Sequence, residues 1–352
     1  MVKILAFDTE TTGLPPFQFN ESDHSPLKKD GIWETWNEYN TRLNGIRTEI
    51  NKPKTDLKKN PELWENYKET WPYIVQLSYI LYDSDTHETV IQDMYINIPE
   101  KYTNADFLET THPIVRTAIE AGLKQSERKM ISEAIDIFME DFKNADVVTG
   151  HNAMFDIDML LAECTRSGNT IVFKEIMNTD KIYCTACKAT NLVKIYYDLS
   201  KKPLPLPKMP KLNQAYFRIF GYAPREYALH NALIDVVVCL RVFYRMWFQG
   251  IQFDDKGDDI PICGLGSPDL YIDLKQKHPE NPIIQLIDSI TPDGFGLNEI
   301  DIKGLQFCQP IENDTVESIM TGIDIKIIKN ANYAKSRHAR YKLLTKDTKK
   351  EV

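Results

Sequence analysis

The apolar positions of this chain follow two different periods, and where one gives way to the other the elements can be read. Val2 to Phe7 is an unbroken apolar run, the pattern of a strand buried on both faces. Tyr73 to Tyr82 also reads as a strand, and a turn at Asp83-Ser84-Asp85 joins it to another from about Thr89 to Ile98, giving a hairpin. Ser126 to Phe142 has the helical period, with Met130, Ala134, Ile137, Phe138 and Phe142 on one face. Asp146 to Gly150 is a short buried strand followed by a helix from Ala153 to Arg166. Two more helices are predicted, Leu212 to Phe220 and Ala232 to Phe248, after an extended proline-rich loop from Pro203 to Pro210. Strand, hairpin and then strand–helix alternation predict an α/β fold: a mixed sheet with helices on both faces.

Two regions interrupt that pattern. From Pro15 to about Trp71 the chain is rich in Asn, Lys and Glu and carries four of the five tryptophans (Trp33, Trp36, Trp64 and Trp71), with short helical periodicity at most. A stretch that long between strands is more than a connector, so residues 15–72 are read as an insertion after the first strand, at the mouth of whatever site that strand forms. After Gly250 the texture turns Gly-, Pro- and Asp-rich. The main domain is therefore placed at residues 1–249. Residues 250–352 form a C-terminal extension, of which a small second lobe is one form, with an acidic first half and a basic tail.

Composition narrows the function classes. No apolar run approaches the ~20 residues of a membrane span, and Met1 to Leu5 leads into a strand instead of a signal peptide, so a non-secreted, cytoplasmic or nuclear protein is expected. A net charge of −9 argues against a nucleic-acid binder working by bulk attraction. The basic tail, with Lys335, Arg337, Arg340 and Lys342, suits either contact with phosphates or simple solvation. Of six cysteines, Cys184 and Cys187 have the C-x-x-C spacing of zinc or redox pairs. No second Cys or His pair answers them, and two packed helix cysteines are the expectation.

Three segments carry candidate chemistry. Phe7-Asp8-Thr9-Glu10-Thr11-Thr12-Gly13-Leu14 ends the first strand, and its carboxylates two residues apart share one face. Like charges held so close repel unless a cation lies between them, and a hard divalent ion favours such oxygen ligands. Gly13 is expected to supply the turn. His151-Asn152-Ala153-Met154-Phe155-Asp156-Ile157-Asp158 follows the short buried strand, at the strand end where open α/β sheets place their ligands. Asp156 is a candidate ligand, whereas Asp158 is expected to offset the helix dipole. His230-Asn231-Ala232-Leu233-Ile234-Asp235 opens the last helix, where His230 on the loop and Asp235 on the helix can face one cleft.

Together these segments resemble, in order and spacing, the DEDD exonucleases of the DEDDh branch. That family includes the proofreading subunit of bacterial replicative polymerases, ribonuclease T, oligoribonuclease and mammalian three-prime repair exonucleases. The similarity spans about residues 1–248 minus the insertion, and Trp71 to Leu77 resembles the family's second strand. The resemblance implies a ribonuclease H-like fold and a 3′→5′ exonuclease releasing nucleoside 5′-monophosphates. Asp8, Glu10, Asp156 and Asp235 would hold two divalent cations, Mg²⁺ or Mn²⁺, and His230 would be the general base. Thr11, Thr12, Gly13 and Leu14 would line the terminal nucleotide, with His151, Asn152 and Phe155 near the substrate. The chemistry agrees: phosphodiester cleavage needs an activated water and charge stabilisation on both oxygens, which two metals about 3.5–4 Å apart supply. A single-stranded or frayed DNA 3′ end is the expected partner, in proofreading, repair or replication, with a repair or replication protein as a candidate associate. An exoribonuclease, or an inactive binding or assembly protein retaining the fold, are the alternatives. The chain departs from the family at Ala121, where many relatives carry a polar residue before Gly122, and in the length of the insertion, whose tryptophans either stack on bases or pack in the core.

Overall fold

Strand β1 (Lys3–Thr11) is the middle strand of a five-stranded mixed sheet. The computed structural model describes residues 2–16, 27–29, 32–34, 36–59, 63–193, 209–220, 222–225, 229–249 and 269–292. In chain order the further elements are β2 (Lys28–Lys29), β3 (Ile32–Trp33), α1 (Trp36–Lys59), α2 (Trp64–Tyr67), β4 (Ile74–Asp83), β5 (Thr89–Tyr95), α3 (Ala105–Thr110), α4 (Pro113–Leu123), α5 (Ile131–Asn144), β6 (Val147–Gly150), α6 (Met154–Arg166), α7 (Thr170–Met177), β7 (Ile182–Cys184), α8 (Thr185–Val193), α9 (Leu212–Phe220), α10 (Ala232–Gln249), α11 (Leu270–Lys277) and α12 (Pro282–Ile290). The sheet order is β5-β4-β1-β6-β7. β4 pairs antiparallel with both β1 and β5, and β6 and β7 extend the sheet in parallel, so β4 alone runs against the other four.

The period of two in β1 builds two cores at once. Ile4 and Ala6 join Ile80 and Tyr82 of β4 in a cluster closed by α9, α10, α11 and α12. Leu5 and Phe7 point the other way, to Leu77, Tyr79, Met94 and Val148 under α5, α6 and α7. Helices therefore cover both faces, as the alternation of strands and helices predicts.

Several boundaries moved for identifiable reasons. β1 runs past Phe7 through both carboxylates because β4 pairs with it as far as Thr11, with a register break between Glu10 and Thr11. The helix predicted from Ser126 starts only at Ile131. Lys129 is drawn into a bridge with Ile96, accepting from the Asn97 N–H (2.9 Å) and donating to the Tyr95 carbonyl (2.8 Å). Tertiary pairing overrides local periodicity there. In the insertion, α1 is far longer than its apolar pattern suggests; of its described side chains only Tyr39 and Leu43 are buried. Trp64 and Trp71 are core residues, their rings 4.9 Å apart, with Phe173 5.9 Å from Trp64. The side chains of Trp33 and Trp36 lie outside the described residues, as do the basic tail and the acidic run at 254–259.

Residues 269–292, beyond Gly250, belong to the same core as β1: Leu270, Leu274, Ile283, Ile287 and Ile290 pack with α10. Their anchor is Arg241 of α10, which is 1% exposed. It donates to both carboxylate oxygens of Asp269 (3.3 and 3.1 Å), to the Tyr222 hydroxyl (2.6 Å) and to the Tyr216 hydroxyl, and lies over the Phe220 ring at 4.0 Å. Asp269 also caps α11 through the Tyr271 N–H. Asn281 caps α12 while donating to His87 and Thr89 of the hairpin. No helix among the described residues is long and apolar enough to cross a membrane.

An isosteric Asp269→Asn change keeps the cap and leaves the buried guanidinium without its counter-charge. It should lower unfolding free energy by about 3–5 kcal/mol, the usual cost of breaking a buried ion pair, measured by denaturant titration.

Candidate metal centre

β1 serves its two sides with different chemistry. Its even positions continue from Ile4 and Ala6 to Asp8 and Glu10, toward α10, and α10 contributes Asp235. Carboxylate oxygens of Asp8, Glu10 and Asp235 lie within 4.8 Å of one another. Asp156 stands beside this trio, close enough that its charge acts on both Asp8 and Glu10. It is held from β1: the Thr9 N–H and hydroxyl both donate to Asp156 Oδ1, at 3.0 and 2.7 Å. Gly150, just before the α6 turn, is needed for close packing. A Cβ there would come within 3.2 Å of the Phe7 carbonyl oxygen and of Ala153.

The entry to α10 is secured from the hairpin. Buried Gln76, opposite Glu10 in the β1–β4 register, accepts from the Ala232 N–H (3.2 Å) and donates to Asp93 (2.7 Å), which also accepts from Ser78 (2.6 Å). Asn231 donates to the Tyr95 hydroxyl (3.3 Å), and Tyr95 fits because Gly122 has no side chain: a Cβ would sit 3.2 Å from its ring. His230 takes the left-handed conformation (φ 67°) and its N–H donates to Asp235 Oδ2 at 3.3 Å. Sequence reasoning missed Thr9, Gln76, Asp93 and Tyr95. The legible trace was a Gln and a Ser among the apolar residues of β4.

All four carboxyls are held above the ordinary carboxylate range. Burial is the main cause that raises all four carboxyls. Asp8 is pushed well above the carboxylate range by burial and then by Asp156, Asp235 and Glu10. Glu10 rises to about 8, by burial and then by Asp235 and Asp156. Asp156 rises to about 7 by burial and the Asp158 charge, opposed by the Thr9 hydrogen bonds. Asp235 reaches about 7 by burial, opposed by the His230 N–H. Asp158 is itself fully buried in α6. An all-oxygen, acidic set of this kind suits a hard divalent ion, and the residues present fit Mg²⁺ or Mn²⁺.

The other candidates divide. His151 and His230 stand in the same context, His-Asn-Ala-x-x-Asp, five residues before a site carboxylate. The His151 ring is enclosed, with Nδ1 bonded to Thr185 Oγ1 (3.0 Å) and Nε2 to the Pro210 carbonyl (2.9 Å); burial depresses it to about 4, so it is neutral. His230 is exposed. Asn152 takes the left-handed conformation that lets the chain turn into α6, and Phe155 packs partly against the α5–α7 core. Thr12 is tied both ways to Tyr73: its N–H donates to the Tyr73 carbonyl and its hydroxyl accepts from the Tyr73 N–H (both 2.9 Å). The Thr11 hydroxyl donates to the Gly13 carbonyl (2.6 Å). Gly13 lies in the bend that follows β1, without a positive φ, and a Cβ there would meet nothing within 4 Å. Leu14 stands 70% exposed beside it. Compared with known proteins, the chain matches no family model and no curated protein.

Because the folded state raises these carboxyl pKa values, it holds protons that the unfolded chain has released. Their contribution to stability is present below about pH 4 and lost as pH rises through about 7–8. The metal-free protein should therefore melt at lower temperature at pH 8 than at pH 6. Mn²⁺ or Mg²⁺ should restore about 2.7 kcal/mol at a hundred times its Kd. Asp8→Asn should stabilise the metal-free protein at pH 8 and abolish the metal-induced gain; calorimetric scans at both pH values check both signs.

Proposed function

We propose that this chain is a metal-dependent 3′→5′ exonuclease that hydrolyses terminal phosphodiester bonds of nucleic acid and releases nucleoside 5′-monophosphates. The observation that carries the reading is the convergence of Asp8, Glu10 and Asp235 within 4.8 Å, from opposite ends of the main domain, with Asp156 alongside. The sheet order, with β4 alone reversed, supports a ribonuclease H-like fold. The three motifs supply the residues a DEDDh exonuclease requires, in the same order.

Asp8, Glu10, Asp156 and Asp235 would hold the two divalent ions. Such ions lower the pKa of water and stabilise the charge of an in-line displacement at phosphorus. His230, exposed and tied to Asp235 through its backbone N–H, would take a proton from the attacking water. His151, whose ring nitrogens are both hydrogen-bonded, instead pins the loop before α9 to the end of β6. Thr12, locked to Tyr73, fixes the strip Thr11–Leu14, where the missing side chain of Gly13 and the exposed Leu14 leave room for a terminal nucleotide. DNA is the substrate we assign. An RNA substrate differs by one hydroxyl per nucleotide, and matched oligonucleotides distinguish the two.

Mg²⁺-dependent release of mononucleotides should be seen from a single-stranded oligonucleotide labelled at its 3′ end. Asp8→Ala and Asp235→Ala should abolish it, and unchanged release in either would sink the assignment. His230→Asn retains a residue that tolerates the left-handed turn. It should lower turnover by about 10²–10⁴-fold while Mn²⁺ binding, followed by titration calorimetry, stays within a small factor of wild type.

A further inference from the structure

We propose that Cys184, Cys187 and Met209 form a second, soft-metal site on this protein, a three-sulfur centre for copper(I). The C-x-x-C pair has no cysteine or histidine partner in sequence, but the fold supplies a thioether. Cys184 ends β7, Cys187 lies in the first turn of α8, and Met209 comes in from the segment before α9. The Cys187 N–H donates to Cys184 Sγ at 3.5 Å, and the two thiols are themselves hydrogen-bonded. Cys187 Sγ lies 3.9 Å from Met209 Sδ. Three sulfurs around one ion in a plane, each at a metal–sulfur distance of ~2.3 Å, stand about 4.0 Å apart. The observed separation is already that edge.

Donor chemistry selects the ion. Two thiolates and a thioether are soft ligands, the set that prefers copper(I), whereas Mg²⁺ and Mn²⁺ belong with the oxygen ligands of the carboxylate cluster. Zinc in a structural site takes four Cys, His or carboxylate ligands, and among the described residues only the acidic cluster gathers three or more such groups. Binding exchanges two thiol protons for one Cu⁺ with no change in oxidation state, leaving one net negative charge. Lys188 stands next to Cys187 and offsets it; its charge already opposes the partial desolvation that raises this thiol. Cys187 and Met209 are exposed and Cys184 half-buried, so the ion has a route in. The thiols are free, with no disulfide among the described cysteines, and Cys164 and Cys239 are buried away from solvent.

The test is an anaerobic titration of the full reduced chain with Cu⁺ against a colorimetric copper(I) chelator. The baseline is a Cys184→Ser/Cys187→Ser double variant, which retains the other four cysteines. Wild type should hold one Cu⁺ more than the double variant. Met209→Leu, which keeps the size of an exposed side chain, should weaken that ion by at least about tenfold, since even residues that merely support a ligand are worth 10–100-fold. Copper uptake equal to the double variant's would overturn the site. So would an unchanged affinity in Met209→Leu, or zinc held as tightly as copper.

Discussion

Mutual repulsion among Asp8, Glu10 and Asp235 is the constraint around which this protein is arranged. Two unit charges 4 Å apart cost about 1 kcal/mol in water and about four times that at the effective dielectric of a protein surface, and here three carboxylates share 4.8 Å with a fourth beside them. A loop would relax by swinging them apart. β1 cannot, because β4 and β6 pair with its two edges and Asp8 and Glu10 lie within the β4 ladder. α10 cannot withdraw Asp235 either, since Gln76 and Tyr95 hold its first turn and Arg241 ties its far side to Asp269. Repulsion that the chain cannot relieve by moving is relieved by protonation or by a cation. The two cores on either side of the sheet supply the stability that holds the arrangement together.

The same six-residue pattern, His-Asn-Ala-x-x-Asp, opens both α6 and α10, and its context gives it two outcomes. Both turns need one left-handed residue, and it falls on Asn152 in the first and on His230 in the second. That shift by one position goes with a histidine half-buried and hydrogen-bonded through both nitrogens in one case and exposed at the acidic cluster in the other. Five-residue spacing alone could not say which imidazole is exposed.

What the sequence shows and what it hides divide along the range of the interactions. The apolar run of β1, the carboxylates two residues apart and the bounds of α9 are local patterns, and all were readable. The start of α5 was not, because Lys129 is claimed by a bridge to Ile96 across the chain. Trp64 and Trp71 looked like candidates for base stacking only while their neighbour Phe173, a hundred residues on, was out of view. The supports of α10 were hidden for the same reason: Gln76, Asp93 and Tyr95 acquire meaning when β4 and β5 lie next to the Asn231 turn. Met209 is invisible to any ligand-spacing rule, since no motif marks a thioether beside C-x-x-C.

The covering of α10 by α11 and α12 bears on how the molecule comes into being. Asp235 follows Asp8 and Glu10 by more than two hundred residues along the chain. The helix that carries it packs on β1, β4 and α9 and is covered further by Leu270 to Ile290. Contacts so distant in sequence are the slow ones to form. The acidic cluster is thus complete only once Asp235 has been made, and until then the repulsion is confined to Asp8, Glu10 and Asp156.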